Sequence, residues 1–94
     1  PDKRFKRVNN DLVYNLPVKL TDAILGTKIK VPTLDGEREI EIPPGVQSGE
    51  EVKLKGYGVH SSPKGDQIVK IKVEIPRKLS GKARRLVEEL KNEI

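Results

Sequence analysis

The chain has no cysteine, methionine or tryptophan, and one phenylalanine and two tyrosines are its whole aromatic complement. Without cysteine there is no disulfide framework, no thiolate zinc site and no thiol nucleophile. A chain of this kind suits a reducing interior, and the expected setting is the cytoplasm. So few aromatic rings leave almost no platform on which single-stranded nucleic acid could stack. No apolar run approaches the roughly 20 residues of a membrane-spanning helix, and no hydrophobic segment of a signal peptide follows Lys3, Arg4, Lys6 and Arg7, so no membrane association is expected. The chain starts at Pro1 rather than Met, as a fragment of something longer would.

What is present is charge and short alternating apolar patterns. The 94 residues suit one domain, which buries about two-thirds of its unfolded surface. The net charge of +5 invites a nucleic-acid reading, yet apart from the patch at Lys3 to Arg7 the basic residues are interleaved with acidic ones. A solvated mixed-charge surface accounts for this better.

Catalysis needs a nucleophile with its base, a carboxylate pair, a metal cluster or a phosphate cradle, and the sequence offers none. His60, the only histidine, lies in a Ser/Pro/Gly stretch and reads as a solvated loop residue. Gly56-Tyr57-Gly58 is half of a dinucleotide fingerprint with no helix behind it, so its glycines read as turn or bulge positions. Asp35 and Asp66 stand beside glycines as acceptors for local backbone. Glu50-Glu51 and Glu88-Glu89 lack calcium-loop spacing and read as surface charge.

Period-two alternation at Leu12, Tyr14, Leu16, Val18 and Leu20 predicts a strand with one buried face. Pro17 makes it an edge strand or a bulged one. Thr21 is expected to cap a short helix that Gly26 ends. Ile29 and Val31, the turn Leu34-Asp35-Gly36, then Ile40 and Ile42 predict a hairpin. Pro43-Pro44-Gly45 and Gln47-Ser48-Gly49 are turns before a short strand at Val52 and Leu54. Val69, Ile71, Val73 and Ile75 mark the longest strand, closed by Pro76. The expected fold is mainly β: a small two-sheet antiparallel sandwich with one short helix between strands.

After Pro76 the period changes. Leu79, Ala83, Leu86, Val87, Leu90 and Ile94 share one stripe of a C-terminal amphipathic helix with Ser80 as N-cap. Twelve or so helical residues are marginal alone in water. The stripe must either fold back on its own sandwich or meet another chain.

Asn10-Asp11-Leu12, Leu25-Gly26, Val31-Pro32-Thr33-Leu34-Asp35-Gly36, Ile42-Pro43-Pro44-Gly45-Val46-Gln47-Ser48-Gly49, Leu54-Lys55-Gly56-Tyr57-Gly58 and Gly65-Asp66 occur here in one order. Together they resemble the second C-terminal domain of DnaJ co-chaperones, the forty-kilodalton heat-shock family, and the resemblance covers essentially the whole chain. Phe5 and Arg7 fit the junction from the preceding domain.

The resemblance implies residues 1–10 as that junction, 11–76 as the β-sandwich and 77–94 as a dimerisation segment. It implies a non-catalytic fragment that forms a homodimer through Leu79, Ala83, Leu86, Val87, Leu90 and Ile94, and a parent that delivers unfolded clients to a DnaK-type ATPase chaperone. The His-Pro-Asp signature, the Gly/Phe-rich linker and the cysteine-rich zinc module of the family are all missing, so neither ATPase stimulation nor zinc or any other cofactor is expected here. Ser61-Ser62-Pro63 stands where relatives often have more glycine, and no glutamine lies near Ala83. By topology, the sibling domain's client groove maps onto Tyr14, Leu16, Ile29 and Val31, which equally read as ordinary core residues. A pure spacer and dimerisation module, and a basic nucleic-acid module, are the alternatives.

Overall fold

The computed structural model describes residues 3–59 and 64–94. His60, Ser61, Ser62 and Pro63, on which some of the sequence expectations fall, lie outside the described residues.

Alternation dictates the strands. β1 (Lys6–Val8) and β2 (Asp11–Lys19) are joined by a tight turn in which Asn9 takes a φ of 57°. β2 runs directly into α1 (Leu20–Leu25), which is followed by β3 (Thr27–Thr33), β4 (Gly36–Ile42), β5 (Glu51–Leu54), β6 (Gln67–Glu74) and α2 (Gly81–Lys91). A four-stranded sheet in the order β1-β2-β6-β5 faces the two-stranded hairpin β3-β4. Between them lies a core of Leu16, Val18, Val31, Ile40, Ile42, Val69 and Ile71, with Ala23 of α1 and Val46 at its margin. The mainly β, two-sheet architecture with its intervening and C-terminal helices is thus present.

Three strand pairs are antiparallel, but the longest ladder is not. β2 and β6 run parallel in unbroken register from Leu12 opposite Gln67 to Lys19 opposite Glu74. A period of two assigns faces, not partners or directions, so the sequence pattern could not have shown this. The register also settles Pro17: no bulge interrupts it. β1 pairs with β2 only at Asp11, Leu12 and Val13. From Tyr14 to Lys19 one side of β2 therefore has no strand partner among the described residues, and the missing donor of Pro17 falls on an edge strand.

Two local expectations change. Thr21 does not cap α1: the strand enters the helix so abruptly that Lys19 holds the N-cap position, with extended backbone and no side-chain bond. Gly26 does end the helix, with φ of 82°, and its amide donates to the Asp22 carbonyl at 2.8 Å. A Cβ there would also meet Cδ of Pro44 at 2.9 Å. β1, within the expected junction, is the second difference. All three of its residues are exposed, so it carries no apolar signal.

At the far end of the sandwich the backbone is stitched by loops. Gly58 donates to Gly65, Val59 to the Asn10 carbonyl at 2.8 Å, and Leu12 to Asp66 at 2.9 Å. The Asp66 carboxylate accepts from the Gly56 amide at 2.8 Å, while its own amide donates to Asp11 Oδ1 at 2.7 Å. In the hairpin turn the Thr33 hydroxyl accepts from the Asp35 amide and donates to the Gly36 carbonyl.

Gln67 is fully buried and ties the two layers: its Nε2 donates to the Pro32 carbonyl at 2.8 Å. Its Oε1 has no protein partner. Gln67→Glu should therefore destabilise the fold by about 3 kcal/mol or more at neutral pH, because a buried carboxylate would lose that donor and face the carbonyl. Such a carboxyl would titrate above its unfolded range, so the loss should shrink as pH falls; thermal melts across pH measure it.

Candidate functional site

The first candidate surface is α2. Ser80 fixes its start, the hydroxyl oxygen accepting from the Ala83 amide at 3.1 Å, as the sequence predicted. Lys91 in the last turn complements the helix dipole. Arg84 and Glu88 approach to 3.9 Å at i,i+4, but both are largely exposed and add little. No residue of α2 is buried. Leu79 is 45% exposed, Leu86 54%, Val87 48%, Leu90 39% and Ile94 91%. A stripe left this open is not covered by its own sandwich.

The stripe does not stand alone. Leu79, Ala83, Leu86 and Val87 form one wall of an open groove of about 610 Å³, and Leu20, Ile75 and Pro76 form much of the rest. Alternation places Ile75 on the inward face at the end of its strand; β6 ends at Glu74, and Ile75 beyond it is 67% exposed. The end of the β2–β6 ladder and the first half of α2 thus make one continuous apolar surface. Sequence periodicity found the helix wall but not Leu20 and Ile75, which it assigned to the core.

The second candidate lies where β2 and β3 meet the core. Leu16 and Val31 are buried, with Val31 wholly inaccessible, whereas Tyr14 and Ile29 are half-buried and pack against the same cluster. All four therefore belong to one core cluster, Leu16 and Val31 inside it and Tyr14 and Ile29 at its partly exposed rim. A ligand would touch Tyr14 and Ile29 first.

An aromatic contact that the sequence did not reveal sits on this rim. The Phe5 ring lies 5.9 Å from that of Tyr14, tilted by 52°, and the Arg4 guanidinium lies over the other partner, 5.2 Å from the Phe5 centroid. Elsewhere, Arg38 of β4 stands 5.0 Å over Tyr57, joining the hairpin to the loop after β5. Both contacts connect residues with no common periodic pattern.

Among the described residues no group of three or more His, Cys, Asp or Glu is placed to hold a metal ion. No helix among them is long and apolar enough to cross a membrane.

The model of the DnaJ C-terminal domain matches residues 1–76. The chain is 46% identical over 93 residues to the chaperone protein DnaJ of Roseiflexus sp., covering 96% of this chain and 25% of the relative. It is 46% identical over 92 residues to that of Acetivibrio thermocellus, covering 95% and 24%. With the chaperone protein DnaJ of Caldicellulosiruptor bescii the identity is 45% over 92 residues, again covering 95% and 24%. The chain spans about a quarter of the length of the curated relatives it matches. With a family model covering four-fifths of its residues and relatives this similar along its length, the chain belongs to the DnaJ C-terminal domain family.

Proposed function

We propose that this chain is the part of a DnaJ-type co-chaperone that pairs two subunits and binds unfolded polypeptide, for delivery to a DnaK-type ATPase chaperone in the cytoplasm. Residues 11–76 form the second C-terminal domain, 77–94 the pairing segment, and 1–10 the junction that enters it. It works by binding, without catalysis and without a cofactor of its own.

The observation that carries the reading is the uncovered stripe of α2. Ala83, Leu86, Val87 and Leu90 of α2, with Leu79 before it and Ile94 after it, present apolar surface; Leu79, Ala83, Leu86 and Val87 share a groove with Leu20 and Ile75, and a second copy of the chain would bring the same surface to meet it. Such a self-complementary patch is what a two-fold interface requires. Client binding is assigned to Tyr14, Leu16, Ile29 and Val31, with the half-buried pair as the contact surface and the buried pair as its support.

The burial of Leu16 and Val31 favours a second reading, in which the domain only spaces and pairs its parent. Aggregation of a permanently unfolded client, followed by light scattering without ATP, separates the two. The chain should suppress aggregation, and Tyr14→Ala or Ile29→Ala should weaken client capture by roughly tenfold, equivalent to about 1.4 kcal/mol. Suppression that is absent, or indifferent to both substitutions, leaves the spacer.

A further inference from the structure

We infer that Phe5 is a resident occupant of the client surface, a built-in competitor that the incoming polypeptide must displace from Tyr14. The inference rests on the client-binding reading of the β2 rim and deepens it by naming what controls access.

The register of β1 on β2 supplies the geometry. Lys6 stands opposite Val13, so Phe5, one residue earlier, comes opposite Tyr14, and the two rings are in contact at 5.9 Å. Tyr14 is also where the open edge of β2 begins: beyond it, Asn15 to Lys19 have β6 on one side and, among the described residues, no strand on the other. An extended segment adding to that edge would place a side chain beside Tyr14, and Phe5 already fills that place. The ring is half-buried, and Arg4 lies across it.

The occupant is held from outside the core. β1 has three paired residues, all exposed, and contributes none of the core. Detaching Phe5 breaks its contact with Tyr14, the short ladder and the Arg7 bonds to the Asn9 carbonyl and Asn10 Oδ1, none of which belongs to the core cluster. A site that is open only part of the time has its apparent affinity reduced by the open fraction, which makes Phe5 a regulator of affinity.

Two variants test this with a fluorescently labelled, cysteine-free, permanently unfolded client. Phe5→Ala should bind it roughly two- to tenfold more tightly, the range that loss of one aromatic pair supports. The double variant Lys6→Cys with Val13→Cys should do the opposite. Directly opposite residues of an antiparallel pair have Cα atoms roughly 4.5–5.5 Å apart, within disulfide reach. Oxidised with diamide, this chain should capture client less well than wild type, and reduction should restore capture. Phe5→Ala binding equally or less tightly, or a lock with no effect, overturns the competitor role while Tyr14→Ala still weakens binding. If Tyr14→Ala and Ile29→Ala are both silent, the client reading has failed, and this inference with it.

Discussion

Leu90→Asp should leave the chain monomeric at every accessible concentration while the sandwich keeps its stability. Leu90 is the least exposed of the large apolar residues on α2 and sits on the stripe midway between Val87 and Ile94. The open halves of Leu79, Leu86, Val87 and Leu90 leave roughly 1 kcal/mol of transfer free energy each to be gained on covering them. Two chains together gain an amount comparable to the 4–15 kcal/mol that association loses in freedom of motion. A balance that close cannot absorb a buried carboxylate. Dimer affinity should fall by at least about a hundredfold, or 2.7 kcal/mol. Because no residue of α2 is buried and none belongs to the core cluster, unfolding should shift by no more than about 1 kcal/mol, chiefly from helix propensity.

Gly65→Ala should have the largest effect on folding. A Cβ on Gly65 would fall inside the Asn10 carbonyl group, and Gly65 is itself buried. Asn10 cannot retreat easily. Its carbonyl accepts from Val59 at 2.8 Å, and its side-chain oxygen accepts from Arg7 at 3.2 Å. A clash of this kind costs about 3 kcal/mol or more, a large part of the 5–15 kcal/mol that holds a small domain together. Gly45 gives the comparison: its φ of 82° strains an alanine, but nothing lies within 4 Å of the added Cβ. Gly45→Ala should therefore lose only about 1 kcal/mol. Denaturant unfolding of the two variants checks the difference, and equal losses would mean that the Asn10–Gly65 approach is not a constraint.

Much of this architecture is legible in the residues, and what is not has identifiable causes. Alternation at Leu12 to Val18 and at Val69 to Val73 fixes which faces are buried, and Leu34-Asp35-Gly36 fixes the hairpin register at Thr33 opposite Gly36. Ser80 marks the start of α2 because a hydroxyl is needed there to accept a backbone amide. Partnership is a different kind of information. Nothing in β2 or β6 says that they run parallel, since their relative direction is set by the whole path between them, through α1, the hairpin and β5. Gln67 escapes notice because a polar residue breaks the apolar count, although it is as buried as Val69. β1 escapes because it is charged, short and exposed.

The candidate surfaces divide the same way. The stripe of α2 is a periodic feature, visible in the sequence and left open by the fold. Leu20 and Ile75, which extend it, continue the alternation of core strands, but they lie where the strands end, Leu20 half-buried and Ile75 exposed. Tyr14 and Ile29 differ from Leu16 and Val31 in burial, a distinction that strand periodicity cannot make within one face. Phe5 carries no pattern at all, and only the three-residue ladder of β1 brings it to Tyr14.

The central claim is that α2 pairs two copies of this chain, and the molecular mass in solution tests it most directly. Sedimentation equilibrium from low micromolar to near-millimolar concentration should show a reversible rise from 10.5 kDa towards twice that value, absent in Leu90→Asp. A mass that stays at 10.5 kDa throughout the range would contradict the account.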